Sequence, residues 1–231
     1  MLRYNQFEVL SFDCYGTLVD WETGILLAVK PVLRVHGVTV PDDTILETYA
    51  AIESDIEAGP YQSYRNVLRQ AMAKMCERFG FEAGDSEHIV IANSLTGWPP
   101  FEDTISALKA LKNRYRLAII SNVDDELFEG TNRRLGVDFD HIVTAAQAGA
   151  YKPSLHVFDF ALKRIGCPAE RLLHVAQSLY HDHAPAKKLG LSTVWIDRRH
   201  DRPGSGATPE AVATPDATFS DLASLVREMG V

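Results

Sequence analysis

Asp13 stands where an apolar run ends, and an acid in that position is costly unless something replaces its lost hydration. Phe7-Glu8-Val9-Leu10 opens the run, which reads as a buried strand closed by turn-forming residues. Gly16 permits a turn that a Cβ would obstruct, and the Thr17 hydroxyl faces the same space. A strand that stops at an N-capping aspartate is the plain reading of these residues. Later strands end in the same way. Ser121-Asn122 follows Ile119-Ile120, and Gln177-Ser178 follows Val175-Ala176. Lys152 lies just beyond a strand near Ile142–Ala145, and a second acid, Asp182, follows soon after Gln177. Each residue alone reads as a surface lysine, a turn serine or a cap. Together they place a carboxylate, a hydroxyl–amide pair, a lysine and a second acid at one edge of a sheet, where open parallel sheets bind ligands.

The elements that must carry these groups follow from periodicity. Leu117-Ala118-Ile119-Ile120, Ile142–Ala145, Leu172–Ala176 and Thr193-Val194-Trp195-Ile196 read as strands. Between and after them lie helical patterns at Ile105–Leu111, Glu126–Leu135, Val157–Ile165, Ala184–Leu189 and Leu222–Met229, with a loop over 201–206. This alternation predicts an α/β fold, a Rossmann-like parallel sheet with helices on both faces. Residues 20–98 differ. Ile25–Leu33 recur at helical spacing, and Ile45, Tyr49, Ile52 and Ile56 form one apolar stripe. Val67, Leu68, Ala71, Met72 and Met75 form the buried side of a helix over about 63–78, and a further helix runs over 88–95. The block therefore reads as an inserted helical domain, 20–98, with the core formed by 1–19 and 99–231.

Composition narrows the function classes. The 231 residues are 46% hydrophobic and 23% charged, ordinary for a globular protein that buries one sizeable core. A formal net charge of −8 argues against a nucleic-acid binder, though a locally positive pocket can still take a small anion. The three cysteines, Cys14, Cys76 and Cys167, have no CxxC spacing and suggest reduced thiols. With no signal-peptide core at the start and no membrane-length apolar stretch, the expected location is cytoplasmic, with no membrane partner. A homodimer is allowed.

Four of these stretches, in order, resemble the motifs of the haloacid dehalogenase superfamily, and most closely its type II 2-haloacid dehalogenase branch. Asp13-Cys14-Tyr15-Gly16-Thr17-Leu18 resembles the nucleophile motif, Ser121-Asn122 the second and Lys152-Pro153 the third. Leu173–Asp182 resembles the fourth, with Asp182 at its second acidic position. The resemblance implies a helical cap between the first two motifs, which coincides with 20–98. It also implies that Asp13 is a nucleophile forming a covalent ester, that Lys152 keeps it ionised, and that Asp182 orients or activates the hydrolytic water. Thr17, Ser121 and Asn122 would donate to an anionic substrate group, with Tyr15 also on the substrate side.

Tyr15 bears on the reaction. Phosphatases of the superfamily usually carry an aspartate two residues after the nucleophile, as the acid for an alkoxide leaving group, whereas dehalogenases carry tyrosine there. Gln177 likewise replaces an acid that phosphatases use for magnesium, a cation that prefers carboxylate oxygen. The branch also departs here in three places: Leu46–Glu53 contains no arginine, Phe158 replaces a tyrosine, and Gln177 and Leu179 replace a serine and an asparagine. His181 and His183 flank Asp182, but alternate residues on a helix diverge, so they read as polar helix-start residues rather than a metal pair. The expected activity is hydrolysis of the carbon–halogen bond of a short 2-haloacid, with no metal and no cofactor. The alternatives are a phosphatase with an atypical first motif, which would need Mg2+, and a catalytically silent binding protein.

Overall fold

The structure, a computed structural model, describes residues 2–200 and 202–231, so Asp201, where the 201–206 loop begins, lies outside the described residues. Six strands form one parallel sheet: β1 (Val9–Phe12), β2 (Arg116–Ser121), β3 (His141–Thr144), β4 (Leu172–Ala176), β5 (Ser192–Ile196) and β6 (Ala217–Phe219). Their order is β3-β2-β1-β4-β5-β6, so the chain reverses direction of addition across β1, between β2 and β4. Every residue of β1 is buried, as a central parallel strand covered on both faces requires. Its side chains alternate between two apolar clusters, with Leu10 and Phe12 in one and Val9 in the other.

Helices fill both sides. α1 (Trp21–Val35), α2 (Asp42–Glu57), α3 (Tyr64–Arg78), α4 (Asp85–His88) and α5 (Val90–Ser94) precede β2, followed by α6 (Thr104–Lys112). After β2 come α7 (Asp125–Leu135), α8 (Ala145–Ala148), α9 (Leu155–Ile165), α10 (Ala184–Lys188) and α11 (Leu222–Met229). Leu108 of α6, Phe128 of α7 and Leu225 of α11 pack with Leu10 and Phe12, whereas Val157 and Phe158 of α9 pack with Val9 on the opposite face. The stripe Ile45, Tyr49, Ile52 and Ile56 on α2 is buried, as is Val67, Leu68, Ala71, Met72 and Met75 on α3.

The helical stretch leaves the sheet and returns to it at one place. Val19 bridges Pro100, Asp20 N–H donates to Pro99 O at 2.8 Å, and Phe101 N–H donates to Leu18 O at 3.1 Å. Three details differ from the sequence reading. The single helix expected over 88–95 is two short helices, α4 and α5, joined at Ile89. A four-residue helix, α8, separates β3 from Lys152. β6 is a sixth strand with no sequence signal, because three residues, none of them buried, are too short for a period to register. No helix among the described residues is long and apolar enough to cross a membrane.

Candidate active site

The carboxyl ends of β1, β2 and β4 and the loop after β3 meet in a small cavity lined by Asp13, Tyr15, Ser121, Asn122, Lys152, Gln177 and Asp182 from the sheet side. Glu53 and Glu57 of α2, Tyr64 of α3 and Trp21 of α1 line the other wall. The cavity encloses at most about 370 Å³, open solvent included.

Lys152 is the central group. Its ammonium donates to Asp13 Oδ1 at 2.8 Å, to Asp182 Oδ1 at 2.7 Å and to Ile120 O at 2.9 Å. An ammonium has three protons, so all are used and the side chain is fixed as a bridge between two carboxylates. Burial works against its charge, but the two carboxylates outweigh that and hold its pKa above the usual value. At Asp13 burial pushes the pKa up, the Lys152 charge pulls it down, and Asp182 adds to the rise. At Asp182 burial also opposes ionisation, but Lys152 and a hydrogen bond from His174 overcome it, leaving the carboxyl below its ordinary value. Asp182 is therefore the firmly ionised member of the pair.

The backbone explains how Asp13 is presented. Gly16 adopts φ +92°, and a Cβ there would lie 2.9 Å from Trp21 Nε1, so the turn after the nucleophile position needs glycine. The guanidinium of Arg198 holds the same turn, donating to Thr17 O at 3.0 Å while paired with Asp103 at 2.9 Å.

The structure brings Asp13, Tyr15, Ser121, Asn122, Lys152 and Asp182 to one cavity, but the groups are used differently from one another. Thr17 is not on the cavity wall. Its hydroxyl donates to Asp13 Oδ2 at 2.8 Å and accepts from Gln177 N–H at 2.9 Å, so the expectation that it donates to substrate is corrected. Asn122 is also spent on the protein: its amide donates to Glu57 Oε2 and to Lys152 O, and accepts from Lys152 N–H at 2.8 Å. Ser121 Oγ is buried without a hydrogen-bond partner, the one expected donor left free among these. Tyr15 gives its hydroxyl to a 2.9 Å bond with Thr131 and sets its ring edge-on to Trp98, and burial pushes its phenol well above the ordinary value. Arg65, outside this cavity, is exposed and bonded to Asn93.

Several site groups escaped the sequence reading. His174 Nε2 lies 2.9 Å from Asp182 Oδ1, and its Nδ1 lies 2.9 Å from Ser11 Oγ. Ser11 and His174 are paired across β1 and β4, a register that no single-strand pattern reveals. Phe158 packs edge-on against the His174 ring, at 5.3 Å between centroids. Glu53 accepts from Tyr64 at 2.6 Å and from Tyr49 at 2.8 Å, and burial pushes its carboxyl up to about 7. Burial and then the nearby Glu53 hold the Glu57 carboxyl well above its ordinary value.

His181 and His183 do diverge, on a π-helical turn over Leu179–His183, but both are buried rather than polar helix-start residues. His181 lines the cavity, and His183 Nε2 donates to Ala176 O at 2.9 Å. Burial pushes the pKa of His183 down to about 4, and its Nδ1 has no partner to receive a proton's charge. A depressed folded pKa means that the unfolded chain takes up the proton first as pH falls. Native stability should therefore fall between about pH 6.5 and 4, by up to about 3 kcal/mol from this residue. His183→Gln, which keeps a donor for Ala176 O, should flatten that part of a denaturation-midpoint-versus-pH curve; an unchanged slope would show that His183 contributes nothing to it.

Magnesium of the kind that phosphatases of this superfamily use does not fit the groups present. Gln177 presents a neutral amide, its Oε1 already accepting from Thr208, where a hard cation needs a carboxylate, and the Lys152 ammonium already pairs with both Asp13 and Asp182.

An α/β sheet of this order with a carboxylate–lysine–carboxylate bridge at its strand ends has clear relatives. A model of the haloacid dehalogenase-like hydrolases matches residues 7–190, and the chain belongs to that family. It is a hydrolase. Over 222 residues the chain is 27% identical to an (S)-2-haloacid dehalogenase of Pseudomonas fluorescens, covering 93% of this chain and 92% of that one. It is 36% identical over 205 residues to a glyceraldehyde 3-phosphate phosphatase of Methanothermobacter thermautotrophicus, covering 82% and 85%. The crystal structure of the L-2-haloacid dehalogenase PA0810 superposes with a TM-score of 0.80 at 26% identity, covering 97% of this chain and 99% of that one.

Proposed function

We propose that this hydrolase cleaves the carbon–halogen bond of short 2-haloacids through an ester on Asp13. The supporting observation is the Asp13–Lys152–Asp182 bridge, which turns a buried carboxylate toward the cavity beside a cationic partner. An Asp13 oxygen attacks the substrate carbon, and the halide leaves with the bonding electron pair. Water then attacks the Asp13 carboxyl carbon, which releases a 2-hydroxyacid and regenerates the carboxylate. Lys152 acts by charge, since its protons are all engaged. Asp182 keeps Oδ2 free to orient the water, and its low basicity means that the water's proton passes on to solvent. Ser121 Oγ donates to the substrate, and Tyr15 walls the cavity. Residues 20–98 serve as a cap domain over a core of 1–19 and 99–231.

The 36% identity to a phosphatase favours phosphate-monoester hydrolysis as the second reading. Tyr15 and the poor magnesium site weigh against it, because an alkoxide leaving group needs a proton that a buried phenol gives up reluctantly. The test is to assay haloacids and phosphate esters side by side, with added magnesium in both arms. Haloacid turnover with negligible phosphate release is expected; phosphate release with every haloacid untouched would reverse the assignment.

Tyr15→Asp separates the two chemistries further. It adds a fifth carboxyl to a cavity wall that already holds Asp13, Asp182, Glu53 and Glu57, and removes the Thr131 bond and the Trp98 contact. The kcat/KM for haloacids should fall at least about tenfold, the rate equivalent of about 1.4 kcal/mol. Phosphatase activity should stay negligible while Gln177 is in place. A gain of efficient phosphate release in the single variant would show that Tyr15 alone had blocked it.

A further inference from the structure

The Asn122 amide is not available to substrate, because it donates to Glu57 Oε2 at 3.0 Å and to Lys152 O at 3.0 Å. What the cavity receives in its place is the carboxyl that Asn122 holds. Glu57 lines the cavity from α2, and its side chain is only 4% exposed. Its second oxygen, Oε1, is buried with no hydrogen-bond partner. Ser121 Oγ, on the residue before Asn122, is likewise buried and unpartnered.

Like charges one helical turn apart in a buried wall repel, and hydrogen bonds decide which acid ionises first. Glu53 accepts from two tyrosine hydroxyls, at 2.6 and 2.8 Å, and both bonds favour its charged form. Glu57 accepts from one amide. The titratable groups near Glu57 are Glu53 on its own helix, Tyr64 of α3, Tyr151 and Lys152 beyond β3, and His181 of the π-helical turn. Asp13 and Asp182 lie across the cavity. Burial pushes His181 down to about 4, so its ring is uncharged near neutral pH. Lys152 is the one cation of this set, and its three protons are engaged elsewhere. Burial and then the Glu53 charge therefore favour the neutral form of Glu57. Because Oε2 already accepts the Asn122 N–H, the proton belongs on Oε1.

We propose that Glu57 is a substrate-binding residue, a neutral acid whose Oε1–H donates a hydrogen bond to the carboxylate of the substrate. A carboxylic acid kept uncharged by its surroundings is a competent donor at neutral pH. With Ser121 Oγ it holds the anion by uncharged donors, while Lys152 stays committed to the two aspartates. The identity of the substrate rests on the haloacid reading, whereas the contact with a carboxylate does not depend on turnover.

The experiment is calorimetric titration of the full-length protein, near neutral pH, with sodium propionate, a short carboxylate that has no halogen to lose. Glu57→Met keeps the length but loses the donor, so affinity should fall at least about tenfold. Glu57→Gln can keep the Asn122 bond through its amide oxygen and offer N–H to the cavity, so it should recover most of that loss. With 2-chloropropionate the Met variant should show the loss in KM, with little change in kcat. An infrared difference spectrum, wild type minus Glu57→Gln, should contain the carbonyl band of a protonated carboxyl. Absence of that band, no propionate binding by wild type, equal binding by all three forms, or a Gln variant as weak as Met would overturn the assignment. Tighter binding by both variants would overturn it too, as the mark of an ionised acid that repels the anion. The expected propionate pattern, with no haloacid turned over by any form, would leave the Glu57 contact standing and refute the proposed function instead.

Discussion

Asp13→Asn should reduce turnover by roughly 10⁴-fold or more, the scale expected when a covalent nucleophile is lost. The amide is nearly the same shape, and Lys152 keeps its bonds to Asp182 and Ile120 O, so the fold should survive. Chemistry is what changes: a neutral amide lacks the charge and basicity to displace halide. Substrate should still bind, because the free Ser121 hydroxyl is untouched. Steady-state kinetics with a substrate-induced thermal shift would separate the two effects. An Asn variant with near-normal kcat would remove Asp13 from the mechanism.

Lys152→Met should be the most damaging single change to stability, and should lower activity as well. It preserves much of the side-chain length but leaves Asp13 and Asp182 facing each other, both buried, without a cation between them. Breaking a buried pair from one side costs about 3–5 kcal/mol. Part of that is avoided if one carboxyl takes a proton, and burial with a neighbouring acid makes Asp13 the one to do so. Activity at neutral pH should therefore drop sharply and recover in part as pH rises through the elevated Asp13 pKa. A denaturation midpoint and pH–rate profile both unchanged would mean that the bridge contributes to neither stability nor reactivity.

What was legible in the chain divides by physical cause. Asp13, Ser121, Lys152 and Asp182 could be read because each follows an apolar run, and strand ends in a parallel sheet converge whatever the details of packing. The use of Thr17 and Asn122 could not be read, since their hydrogen bonds go to Asp13 Oδ2, Gln177 N, Glu57 and Lys152, partners set by tertiary contact. Glu53 and Glu57 were hidden for a different reason. On an amphipathic helix an acid beside an apolar stripe reads as the solvated face, yet here a second surface covers it. His174 lay within a strand whose neighbours are all apolar, and only its pairing with Ser11 and its reach to Asp182 give it meaning. The grip of Arg198 on Thr17 O spans 181 positions of sequence, a contact that no local pattern announces.

The claim on which the mechanism depends is that an Asp13 oxygen becomes the hydroxyl oxygen of the product. A single turnover in heavy-oxygen water, with enzyme in excess over haloacid, tests it directly. If Asp13 forms the ester and water attacks its carboxyl carbon, the label must enter the Asp13 side chain, and the first hydroxyacid formed must carry ordinary oxygen. Mass spectrometry of the peptide containing Asp13 should show one heavy oxygen on that residue. Label in the product with none on Asp13 would mean that water attacks the substrate directly, and the covalent mechanism would be wrong.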